Sequence, residues 1–88
     1  MSYYVLMTYD VKKGSHNDIR NHLEEEEGWE YLGLTTSFAT YFDGAKSRSS
    51  AMRLTRESLK RTMKACNAKV EAAFLVSAEG GVTQDLFE

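Results

Sequence analysis

Few side chains in this sequence stand where they could do chemistry, and the first of them is Asp10. It closes the run Tyr3-Tyr4-Val5-Leu6-Met7-Thr8-Tyr9-Asp10-Val11, whose aromatic and β-branched content predicts a strand. A carboxylate carried on a core strand is held rigidly, which suits a ligand or an acid–base group. The same position suits an aspartate that caps the following turn, Lys12 to Ser15, through its backbone amides. Both readings of Asp10 stand on the residues alone.

Other candidates also carry two readings. His16 lies close to Asp10 in sequence and could act as a general base, or could be a solvated residue of a first helical turn. His22 is six residues on, so the two imidazoles do not stack on one helical face. Arg53, Arg56, Lys60 and Lys64 fall at i, i+3, i+7 and i+11 and predict a basic ridge along a helix. Eight of the eleven basic residues lie between Lys46 and Lys69, and such a ridge could bind phosphates. It could equally be a solvated face balanced by Glu57 and the run Glu24 to Glu27.

Some chemistries find no support. Ser47, Ser49 and Ser50 read as helix-start residues, since no histidine follows them to act as a base. Cys66 belongs to an apolar helical stripe and reads as an inert core thiol. Gly80-Gly81 lacks the strand-to-helix setting of a phosphate loop. Tyr4 and Tyr41 could stack a nucleobase if their sheet face is open.

The elements that position these residues follow from periodicity. Tyr3, Val5, Met7 and Tyr9 share one face of the first strand; Tyr4, Leu6, Thr8 and Asp10 share the other. Both faces are mostly apolar, as in a central strand. Ser15 is a helix N-cap with Asp18 three residues on, Ile19 and Leu23 follow at i and i+4, and the helix ends near Gly28. Glu24 to Glu27 sit at its end, where negative charge opposes the helix dipole, so this end frays or meets a positive partner. Trp29 to Leu34 is a short strand and Thr35 to Phe42 a stronger one, closed by the Asp43-Gly44 turn. A second helix lies within Ser47 to Val70, with Met52, Leu59, Met63, Cys66 and Val70 as its buried stripe. Glu71 to Ser77 is the last strand, with Ala72, Phe74 and Val76 opposed to Ala73 and Leu75. The order strand, helix, strand, strand, helix, strand predicts an α+β, ferredoxin-like two-layer sandwich (βαββαβ), with the first and last strands side by side in the sheet centre. Residues 1–80 form the domain; residues 81–88 read as a polar tail, in which Val82, Leu86 and Phe87 could pack at a dimer interface.

Composition bounds the function. Eighty-eight residues make one small domain that buries a modest share of its surface, so dimerisation would help it. A net charge of -2 exerts no strong pull on nucleic acid or on an anionic membrane. Apolar runs are strand-sized, and no signal-peptide pattern opens the sequence, so a cytoplasmic protein without membrane contact is expected. One cysteine gives neither an internal disulfide nor a cysteine-rich zinc site.

The opening run, the helix after it, Gly28-Trp29, the strand carrying Thr36-Ser37-Phe38, the second helix and Phe74-Leu75-Val76 together resemble small ferredoxin-like proteins of the CRISPR-associated Cas-two superfamily. The resemblance is nearest to the branch labelled SinR-like, which is not a CRISPR component, and it spans roughly residues 3 to 79. It implies a symmetric homodimer in which two copies of Asp10, each preceded by the aromatic Tyr9, face one another as magnesium ligands. A magnesium-dependent nuclease acting on RNA, or on DNA, would follow, with Asp10 catalytic and Lys12, Lys13, Arg53, Arg56, Lys60 and Lys64 as nucleic-acid contacts. The chain departs from the CRISPR members in having Lys12 and Lys13 where an adjacent arginine pair is common. The alternative is a non-catalytic dimeric module that contacts protein or nucleic acid, with Asp10 structural.

Overall fold

The computed structural model describes residues 3–33, 37–42, 44–78 and 81–87, and for residues 78 and 81–85 the backbone alone. The expectations placed on Leu34, Thr35, Thr36, Asp43, Gly80 and Glu88 lie outside the described residues.

Strand β1 (Tyr3–Lys13) leads into helix α1 (His16–Glu25), strands β2 (Glu30–Tyr31) and β3 (Ser37–Phe42), helix α2 (Arg48–Cys66) and strands β4 (Lys69–Ala78) and β5 (Gly81–Phe87). The five strands form one sheet in the order β2-β3-β1-β4-β5, with every neighbouring pair antiparallel. Strand β1 is central, as its two apolar faces predict, and β4 lies directly beside it. In each strand–helix–strand unit the two strands are separated by a strand of the other unit. The segment expected to be a tail is instead a fifth strand, paired to β4 from Ala78↔Gly81 to Ala72↔Phe87.

The period-2 pattern of β1 decides which face is covered. Tyr3, Val5, Met7 and Tyr9 are buried and pack with Phe38 of β3, Val70, Phe74 and Val76 of β4, and Ile19, Leu23 and Leu59 of the helices. Both helices therefore lie on this face, in a two-layer α+β arrangement. The other face carries Leu6, Leu75, Tyr41 and Leu86, which remain 37%, 38%, 64% and 53% exposed.

Helix α1 starts as its sequence predicts: Ser15 Oγ accepts from the Asp18 amide. Helix α2 starts in the same way, with Ser47 accepting from Ser50. Its C-terminus differs from expectation. The helix ends at Cys66, because Asn67 turns left-handed at φ 49° and closes it as a cap; Val70 belongs to β4. Val70 lies four residues beyond Cys66, so it mimics the helical period while sitting in a strand. The row that α2 buries is Ala51, Thr55, Ser58, Leu59 and Thr62, with Met52, Met63 and Cys66 only partly covered at its flanks. Small side chains let the helix sit close on the sheet. The hydroxyls of Thr55 and Thr62 are satisfied by donating to the carbonyls of Ala51 and Ser58.

Candidate functional site

Asp10 does not end its strand; β1 runs on to Lys13. Its side chain projects from the face without helices, in line with Leu6 and Thr8, and is 71% exposed. Strand pairing sets Asp10 directly against Glu71 of β4. Two carboxylates opposed in register repel one another. The Lys12 ammonium resolves this repulsion, with Nζ 2.7 Å from Asp10 and 3.4 Å from Glu71. Its hydrogen bond and its charge hold the Asp10 carboxyl below its usual range, with a smaller pull from His16. The two carboxylates in turn hold Lys12 protonated above the usual lysine value. A shallow depression of about 340 Å³ borders the two carboxylates, lined by Thr8, Ala73, Leu86 and Phe87 as well.

A β-bulge places Lys12. Val11 faces Val70 and Lys13 faces Lys69, so Lys12 is the extra residue of β1 and has no partner across the pair. In an unbroken register it would stand opposite Lys69. Two residues on from Asp10, it lies on the same face, and its ammonium reaches back to both carboxylates.

Magnesium takes oxygen ligands and keeps several waters. Asp10 and Glu71 supply oxygen, but the position between them is held by an ammonium that cannot coordinate a cation. The donor set as it stands does not fit a divalent metal. Among the described residues, no group of three or more histidine, cysteine and carboxylate side chains converges.

The basic ridge lies elsewhere. Arg53, Lys60 and Lys64 occupy the side of α2 opposite its buried row, away from Asp10, whereas Arg56 leans to the sheet. Arg53 pairs with Glu57 at 2.6 Å. Arg56 donates to the Leu86 carbonyl at 2.7 Å and lies over the Phe74 ring, 5.7 Å from its centre, tying α2 to β5. Lys60 and Lys64 are exposed. Lys13 is exposed and opposes Lys69. The structure thus brings Asp10 and Lys12 together and keeps them apart from the ridge.

A second polar cluster ties the helices to each other. Glu27 is 7% exposed and receives Arg61 through Nε at 3.0 Å and Nη2 at 2.7 Å. His22 Nε2 lies 3.2 Å from the same carboxylate. The Trp29 indole donates to Ser58 Oγ at 2.9 Å, and Ser58 adds to the stabilisation of Glu27. Arg61 foremost, then Ser58 and His22, hold the Glu27 carboxyl below its usual value against the opposing effect of burial. The positive partner expected for the acidic run is therefore Arg61, for Glu27. Cys66 donates its thiol to the Asp18 carbonyl at 3.4 Å, and burial pushes that thiol up. Tyr4 and Tyr41 sit together on the open face with ring centres 4.7 Å apart.

Glu71 escapes sequence reasoning because its role depends on strand register. The expected pairing of first and last strands places it near Asp10, but only the register sets it opposite.

No family model, no curated protein and no solved structure matches the chain.

Proposed function

We propose that this chain is a ferredoxin-like, non-catalytic interaction module of the Cas-two and SinR-like kind, in which two copies meet through the sheet face that carries no helix. The supporting observation is the row of apolar side chains, Leu6, Leu75, Tyr41 and Leu86, left on that face while both helices pack on the opposite one. An 88-residue domain gains most from burying such a row. The charge on the face argues for protein rather than nucleic acid as the occupant. By strand register it carries Asp10, Glu71 and Glu30 together with Lys12, Lys13 and Lys69, so phosphates would meet no net positive charge there. In such a dimer the two α2 ridges stay outside, where Lys60 and Lys64 are the side chains open to a polyanion such as RNA or DNA.

The test is sedimentation equilibrium on the wild type and on Leu6→Asp/Leu75→Asp. A dimer that becomes a folded monomer in the double variant, with an unchanged circular dichroism spectrum, supports the reading. A monomeric wild type at high micromolar concentration would sink it.

A magnesium-dependent nuclease is the second reading. Its one supporting observation is the register of Asp10 and Glu71 on the same face, where a two-fold axis would bring two such pairs together. Magnesium-dependent cleavage of labelled single-stranded RNA or DNA that disappears in folded, dimeric Asp10→Asn would establish it over the module. Silence of both proteins removes it.

A further inference from the structure

Three features of one site converge on a role for Lys12. Register sets Asp10 against Glu71, the arrangement that calls for a cation. The bulge between Val11 and Lys13 removes Lys12 from the ladder and so from an opposition to Lys69. The ammonium then lies within 3.4 Å of both carboxylates. The bulge lies at the last step of the pairing, where Lys12 leaves the ladder on the face of Asp10.

We propose that Lys12 is the resident cation of the Asp10–Glu71 pair and keeps divalent metal out of it. The ammonium offers three donors and no lone pair, so it satisfies both carboxylates without acting as a ligand itself. A divalent ion can enter only by displacing Lys12 and then lies beside a positive charge tethered two residues from Asp10. The position that the resemblance marks as a magnesium ligand is therefore one corner of an internal ion triad that fastens β1 to β4. Carboxylates of β1 and β4 that are both held by Lys12 make this chain metal-independent at that site. This inference concerns a single chain and does not depend on dimerisation.

The probe is manganese chloride alone, titrated into isotope-labelled protein. The readouts are paramagnetic broadening of backbone amides and binding heat. Wild type is expected to show no broadening centred on residues 10 and 71 at concentrations where Lys12→Gln does, with apparent affinity in the variant higher by on the order of ten-fold or more. Lys12→Arg retains the charge and is expected to behave as wild type. Lys12→Gln/Asp10→Asn is expected to lose the site that Lys12→Gln gains. Equal affinity in wild type and Lys12→Gln overturns the proposal, because Lys12 then excludes nothing. Absence of binding in both also overturns it, because the carboxylate pair then has no site for Lys12 to occupy. Sedimentation of the same samples reports the oligomeric state separately, so a failure of the dimer is not mistaken for a failure of the triad.

Discussion

Arg61 holds Glu27 through two nitrogens of its guanidinium, 2.7 Å and 3.0 Å from the carboxylate oxygens, although Arg61 is 58% exposed and Glu27 only 7%. The pair joins the segment after α1 to the middle of α2. It also offsets the unfavourable placement of four successive glutamates at a helix C-terminus. Glu27→Gln removes the charge, leaves Arg61 free to turn to solvent, and replaces one of the two acceptor oxygens shared by Arg61, Ser58 and His22 with a donor. A fully buried pair broken on one side costs about 3–5 kcal/mol, whereas an exposed pair is worth about 0–1 kcal/mol. With one partner half in solvent, a loss of about 1–2 kcal/mol is expected, read as a lower urea midpoint at unchanged slope. A midpoint within error of wild type would show that the cluster contributes nothing.

The same carboxylate sets a pH dependence. Its folded pKa lies below its ordinary value of 4.5, so the unfolded chain takes up the proton first as pH falls. The stability it contributes is complete above that ordinary value and is lost as pH drops through the lower, folded one. Wild type should thus lose stability from about pH 5 downward more steeply than Glu27→Gln, and the two midpoints should converge in acid. Parallel curves down to pH 3 would exclude Glu27 as a source of the acid sensitivity.

Much of this fold is written in short-range pattern. The alternation from Tyr3 to Tyr9 fixes which face of β1 is buried, and Ser15 with Asp18 marks the start of α1. The end of α2 was not legible, because Val70 continues the helical period by coincidence and no glycine or proline marks the stop at Asn67. The candidate site was legible in one half. Asp10 stands out as a carboxylate in an apolar strand, but Glu71 and Lys12 matter only through a register and a bulge, which are tertiary facts. The spacing of the basic residues places Arg53, Lys60 and Lys64 on one side of α2, whereas Arg56 turns to Leu86 and Phe74. That this side faces away from Asp10 depends on which sheet face α2 covers.

Gly14 tests how closely the two connections at one end of the sheet approach. Its φ is +110°, and an added Cβ would lie 2.7 Å from the Ala68 Cβ and 3.1 Å from its Cα. Neither atom belongs to a flexible side-chain end, so Gly14→Ala must push the β1–α1 turn away from the α2–β4 turn while also adopting a strained backbone. A loss of about 1–3 kcal/mol is expected. Gly33→Ala shares the positive φ but meets none of the described residues within 4 Å, so its cost should be the smaller of the two. Equal losses would mean that backbone conformation, rather than the contact with Ala68, governs both positions.

Ser58 is the hinge of the buried polar network, since it accepts from Trp29 Nε1 and supports Glu27 from within α2. Ser58→Ala keeps the small volume that lets α2 lie close on the sheet. It leaves the indole N–H, on a residue only 3% exposed, without its acceptor. An unsatisfied buried donor costs about 1–3 kcal/mol, more than the net value of the hydrogen bond itself. Trp29→Phe removes that donor but not the ring packing against Phe42, whose centre lies 5.9 Å away. In the double variant Ser58→Ala/Trp29→Phe the added cost of losing Ser58 should therefore shrink by about 1 kcal/mol or more. Strict additivity in that cycle would place the role of Ser58 with Glu27 alone, and a positive coupling would assign it to the indole.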